Sequence, residues 1–138
     1  MYTKNGKNYH CPVEAALDVI GGKWKPLILW ALGDNVLRFN ELQKGIPGVN
    51  TKMLTKQLRE LEEDGVIRRT VYPEVPPRVE YAITEFGRTL IPILEALCTW
   101  GADYLGIEDA SASQCPTKKR RKGTTDPDPV LFQNPGGQ

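Results

Sequence analysis

Residues 50–65 read NTKMLTKQLRELEEDG, a helix with its own start and stop signals. Asn50 is a capping residue and Gly65 a terminator, with leucines recurring between them. At the helical period, Leu54, Leu58 and Leu61 fall within about 60° of one another and form a stripe that packs on a core. Lys52, Thr55, Lys56 and Arg59 fall on the opposite side. A cap at Asn50 leaves N–H donors and the positive end of the dipole facing outward. Such a basic, polar half suits phosphates and base edges in a DNA major groove, where Lys and Arg donate to guanine. Asn50, Thr51, Lys52, Thr55, Lys56 and Arg59 are therefore candidate DNA contacts. On an isolated helix the same face would be merely solvated, so the flanking segments decide. Glu60, Glu62, Glu63 and Asp64 crowd the other end against the dipole. They read as surface charges that repel phosphate and help orient the helix.

Upstream lies RFNELQKGI (38–46), a short helix closed by the glycine-containing turn PGVN (47–50), the pattern of a helix-turn-helix. Arg38, just ahead of that helix, is a candidate for a phosphate contact or a cap. Earlier, CPVEAALDVIGG (11–22) and KPLILWALG (25–33) each place proline near a helix start and glycine at its end. Leu27–Leu32 is apolar all round, as in a buried helix, and Trp24 and Trp30 read as core.

After Gly65 the periodicity changes to two. VIRRTVY (66–72) and RVEYAI (78–83) alternate, with Val79, Tyr81 and Ile83 on one side, around a proline-rich tip PEVPP (73–77). This hairpin carries Arg68, Arg69 and Arg78. Arg78, beside the tip, is a candidate contact to a backbone phosphate or the minor groove. Thr84 then caps a long helix to about Leu105, expected to kink at Pro92. Leu90, Ile93, Leu94, Leu97, Trp100 and Tyr104 give it a broad apolar face. The order predicts a mainly α fold with a small β-hairpin wing: a winged helix-turn-helix with an added C-terminal helix. It spans residues 11–108, after an N-terminal arm (1–10) and before a Pro-, Gly-, Ser- and Thr-rich tail (109–138) expected to be disordered.

The net charge of +1 hides a division. Residues 1–108 hold thirteen basic and fourteen acidic residues, so any DNA contact relies on a local patch. No apolar run is long enough to span a membrane and the start lacks a secretory core, which points to the cytoplasm. Three widely spaced cysteines and one histidine form no disulfide framework or metal pattern. No nucleophile–base pair or phosphate loop is visible, so neither an enzyme nor a cofactor is expected.

Four blocks together resemble one family: CPVEAALDVIGGKWKPLIL (11–29), RFNELQKGIPGVNTKMLTKQLRELEEDGVIRR (38–69), YPEVPPRVEYAIT (72–84) and GRTLIPILEALCTWG (87–101). They are similar to the HxlR-type bacterial transcription regulators, winged-helix proteins of the MarR-like kind. The resemblance covers about residues 11–105 and implies a nucleoid-associated homodimer built on the first and last helices, binding double-stranded DNA. The apolar face from Leu90 to Tyr104 independently asks for a partner, and a two-fold dimer implies a pseudo-palindromic operator. Some family members sense oxidants or electrophiles through a cysteine just before the first helix. Cys11 stands there, at a helix N-terminus that favours thiolate, with His10 and Lys7 close in sequence. Equally, Cys11 can be a small residue ahead of Pro12 with no signalling role. Cys98 reads as a packing residue and Cys115 as an exposed thiol in the tail. The tail's KKRRK (118–122) suits a nonspecific DNA arm or, almost equally, a featureless solvated tail.

The resulting expectation is a dimeric, sequence-specific regulator, acting as a repressor and switched by an oxidant or electrophile at Cys11. Two alternatives are a regulator sensing a small molecule in a pocket lined by Trp24, Trp30 or Trp100, and a winged-helix protein-interaction module.

Overall fold

The computed structural model describes residues 1–107; the tail expected from 109, with Cys115 and KKRRK, lies outside them. The chain opens with an antiparallel hairpin, β1 (Tyr2–Lys4) and β2 (Lys7–Tyr9), where the sequence suggested only an arm. The signal was the Asn5-Gly6 pair. Both residues hold positive φ, 52° and 79°, as a tight two-residue turn requires.

Four helices follow: α1 (Pro12–Ile20), α2 (Trp24–Leu32), α3 (Phe39–Gly45) and α4 (Thr51–Glu63). The all-apolar stretch of α2 is central to the core, with Ile28, Leu29, Trp30, Ala31 and Leu32 all buried. Trp24 packs against this core from its edge. Leu54, Leu58 and Leu61 of α4 are buried as one stripe in the same cluster. Each contributes about 1.5–3 kcal/mol by leaving water.

The wing comprises β4 (Ile67–Tyr72) and β5 (Arg78–Ile83), paired antiparallel from Ile67↔Ile83 to Tyr72↔Arg78. A third strand, β3 (Leu37–Arg38), pairs with the other edge of β5, giving the order β3-β5-β4. Two residues are too few to show a period in sequence. This pairing makes β5 central, and Ala82, on the opposite side of the alternation from Tyr81 and Ile83, is buried as they are.

The long helix expected from Thr84 is two helices. Thr84 Oγ1 accepts from the Gly87 N–H and caps α5 (Glu85–Arg88); after Thr89 and Leu90 the chain restarts as α6 (Ile91–Leu105). Pro92 therefore lies in the first turn of α6, where its missing N–H costs no helical bond, and it does not kink a continuous helix. Gly87 is where α5 meets the sheet: a Cβ there would lie 2.1 Å from the Val66 carbonyl oxygen. An ion pair between Arg88 and Asp34 ties α5 to the loop after α2.

One contact crosses the core. Lys25, on α2, is 8 % exposed, and its Nζ lies 2.8 Å from Glu60 Oε1 on α4. Glu60 was expected to be a surface charge; it is instead the counter-ion of a buried lysine. A buried ammonium without a partner is strongly unfavourable, so the acidic end of α4 answers a need inside the fold. Lys25 also holds the Glu60 carboxyl below the usual carboxylate range, chiefly through their hydrogen bond. Asp64 differs from a plain surface charge too, because burial pushes its carboxyl up.

A lowered folded-state pKa contributes stability above the unfolded value that disappears as pH falls through the folded one. Glu60 remains 38 % exposed, which screens the pair. Glu60→Gln is expected to cost about 1 kcal/mol at pH 7, with the deficit fading below about pH 4. Urea unfolding of both proteins from pH 7 to pH 3 measures this; a deficit constant across that range would exclude the ion pair as its source.

Candidate nucleic-acid interface

The candidate surface is built on the turn between α3 and α4. Asn50 Oδ1 accepts from the Met53 N–H at 2.7 Å, so Asn50 is the cap expected from sequence. From α3, Gln43 Nε2 donates to the Val49 carbonyl at 3.4 Å and to Thr51 Oγ1 at 3.3 Å. Gln43 thus braces the entry to α4, a role its mid-helix position did not reveal. Opposite the buried leucines, Asn50, Thr51, Lys52, Thr55, Lys56 and Arg59 are all exposed. The structure brings these six expected residues together on one helix and its cap.

Arg38 stands at the start of α3, exposed. Its backbone N–H donates to Glu41 Oε1 at 2.8 Å, which fixes the chain at that point and presents the side chain to solvent. The cap reading is met through its backbone, and its side chain is an exposed cation.

Arg78, the candidate contact of the wing, is held by neighbours within the wing. Its Nη2 lies 3.0 Å from Glu74 Oε2 and its Nη1 3.3 Å from Glu80 Oε2. Its Cζ sits 4.0 Å from the centre of the Tyr72 ring. A guanidinium between two carboxylates and an aromatic face fastens the wing. The cross-strand pairing of Tyr72 with Arg78 created that clamp, which a linear reading could not display. Arg68 and Arg69 remain exposed on β4.

The expected dimer face divides in two. Leu94 is 4 % exposed and lies in the core, and Leu90 packs against it. These two pack within the domain, because α6 turns that edge onto it. Ile93, Leu97, Trp100 and Tyr104 face outward, Trp100 at 66 % and Tyr104 at 76 % exposure. Trp100 and Tyr104 stack with ring centres 5.5 Å apart and planes inclined by 12°. Val13 and Leu17 of α1 are also exposed. Trp30 is buried, Trp24 packs at the core edge and Trp100 points outward.

Cys11 is exposed and is the N-cap of α1, its Sγ accepting from the Val13 N–H at 3.4 Å. The two expected neighbours are engaged elsewhere. Lys7 Nζ lies 3.0 Å from Asp18 Oδ2, and His10 donates its backbone N–H to Glu14 Oε1 at 2.7 Å. The thiol's support is the start of α1 itself. Cys98 is half-buried against the core, as expected of a packing residue.

Among the described residues no His, Cys, Asp and Glu group could hold a metal ion, and no helix is long and apolar enough to cross a membrane.

Known proteins share this architecture. The chain is 54 % identical over 108 residues to an HTH-type transcriptional regulator of Methanothermobacter thermautotrophicus, covering 78 % of this chain and 82 % of that one. The oxidized form of the redox regulator HypR matches with a TM-score of 0.64 at 54 % identity, over 67 % of this chain and 96 % of HypR. The reduced form of the transcriptional regulator YodB from Bacillus subtilis matches with a TM-score of 0.62 at 34 % identity, over 73 % and 100 % of the two chains. The profile described as HxlR-like helix-turn-helix matches residues 19–109. The chain therefore belongs to the HxlR-like helix-turn-helix family and is a DNA-binding transcriptional regulator rather than an enzyme.

Proposed function

We propose that the protein is a homodimeric, sequence-specific repressor whose DNA affinity is switched by oxidation or alkylation of Cys11. The observation that carries the DNA-binding part is the exposed face of α4, basic and polar from Asn50 to Arg59, opposite a fully buried leucine stripe. Lys52, Lys56 and Arg59 supply donors for phosphates and guanine edges, and Thr51 and Thr55 supply adaptable hydroxyls. Arg38, Arg68 and Arg69 extend positive charge to either side, for nonspecific grip on the backbone. Occupying the operator blocks other proteins from the same DNA, hence repression.

A second copy is supported by the outward row Ile93, Leu97, Trp100 and Tyr104 together with Val13 and Leu17 of α1. Stacked aromatics left in water are the kind of surface that association removes. A two-fold dimer would place two α4 helices on successive turns of a pseudo-palindromic site. Cys11 lies at the start of α1, beside the residues assigned to this interface. Two Cys11 thiols, one per protomer, can give two electrons and two protons to an oxidant such as diamide and form a disulfide, altering the spacing of the reading helices. HypR, similar to this chain, is described as a redox regulator.

An operator recovered by selection from genomic fragments, bound by the full chain with and without diamide, tests this function. Specific binding that changes with diamide in the wild type and not in Cys11→Ser is the expected result. A response retained in Cys11→Ser would reject the switch, and no preference over scrambled DNA would reject the regulator's specificity.

The contacts separate by substitution. Lys56→Ala is expected to lose about 1–3 kcal/mol on the operator and to relax specificity at one base. Arg38→Ala should weaken binding to all sequences and lower the salt slope by about 1. Arg78→Ala should lower that slope by less than Arg38→Ala does, since Glu74 and Glu80 already engage its guanidinium. Titrations across a salt series distinguish the three.

Leu97→Glu is expected to halve the mass seen by sedimentation equilibrium at micromolar concentration while the fold persists. A wild-type protein that sediments as a monomer would remove the dimer from this reading.

A further inference from the structure

Two groups grip the recognition helix, and they differ in kind. Leu54, Leu58 and Leu61 hold α4 by apolar burial, which is non-directional and tolerates small rotations about the helix axis. The Lys25–Glu60 contact at 2.8 Å is directional, with a narrow optimum of distance and angle. Lys25 sits in the first turn of α2, where the surrounding fold encloses its stem, and Glu60 lies in the last turn of α4. The opposite end of α4 is fixed by the Asn50 cap and the Gln43 brace.

We infer that Lys25 is a positioning residue for DNA recognition: its buried ammonium, presented by α2 to Glu60, sets the tilt and rotation at which α4 displays its basic face. The inference rests on the reading of α4 as the DNA-contacting helix. Lys25 is too buried to touch phosphate, so it acts through Glu60, its ion-pair partner. Its setting is sensitive: turning a helix by about 20° moves a surface atom, about 5 Å from the axis, by about 2 Å. That displacement separates a base hydrogen bond from none. An apolar pair would fill the same space without desolvating charge, so what the ionic pair adds is direction. Carboxylates from two elements surround the site. Asp18 of α1 and Asp64 at the end of α4 lie within electrostatic reach of Lys25, and Lys7 of the N-terminal hairpin, itself bound to Asp18, reaches Glu60 and Asp64.

The test compares the full-length wild type with the double variant Lys25→Met/Glu60→Leu and with Glu60→Gln. Affinity is measured for the selected operator and for scrambled DNA of equal length over a salt series. Thermal unfolding of each protein is recorded beside it. The double variant is expected to unfold within a few degrees of wild type and to lose operator preference about tenfold, with scrambled-DNA affinity and salt slope unchanged. Glu60→Gln, which retains the shape and an oxygen acceptor, is expected to lose about threefold. Should the double variant not fold, the Glu60→Gln ratio decides alone. A wild-type ratio in either folded variant overturns the inference, and equal losses on both DNAs mark a merely structural pair and also overturn it. A wild type without operator preference would instead sink the reading of α4 on which the inference stands.

Discussion

The burial of Leu54, Leu58 and Leu61 against α2 commits one side of α4 to the core and leaves the other to solvent. Everything presented outward follows from that commitment, because a helix has only one face opposite any given stripe. The turn from α3, capped by Asn50 and braced by Gln43, fixes where that face begins. Lys25 and Glu60 fix its other end from inside the domain. A small α-helical core thus becomes a rigid mount for six exposed polar and basic residues.

Charge is economically placed in this protein. Residues 1–108 carry a slight excess of acid, and yet the exposed half of α4 is basic. The acids are concentrated elsewhere: Glu60 on the buried lysine, Glu74 and Glu80 on Arg78, Asp18 on Lys7 and Tyr9. Each neutralises a cation with a structural task or holds an element in place. On α4, Lys52, Lys56 and Arg59 stay exposed, with Lys56 one turn before Glu60, which is the distribution a DNA-contacting face needs.

The last helix serves two masters. One edge of α6, through Leu94 and Ala102, closes the core, and the other, through Ile93, Leu97, Trp100 and Tyr104, remains exposed. Its separation from α5 at Thr89 and Leu90 lets α5 follow the sheet while α6 takes its own direction. Gly87 makes the first of these possible, because any side chain there would strike the Val66 carbonyl. Across the domain, the N-terminal hairpin leans on α1 through Lys7, Tyr9 and Asp18, so the segment bearing Cys11 is braced from both sides.

The sequence by itself determined the elements whose signals are local. The leucine period, the Asn50 cap, the proline starts and glycine ends, and the alternation after Gly65 each depend on residues within one or two turns. They gave the winged helix-turn-helix order and the exposed face of α4. It also contained, unread, the Asn5-Gly6 turn of the first hairpin. Only the tertiary structure decided what depends on distant partners. Strand β3 exists because β5 offers it an edge, and Arg78 is a fastener because pairing brings the Tyr72 ring to it. Glu60 is a counter-ion because α2 buries Lys25 beside it, thirty-odd positions away in sequence. The physical reason is common to all three: a charge or a strand edge is defined by what faces it, and the chain reveals facing residues only once it has folded.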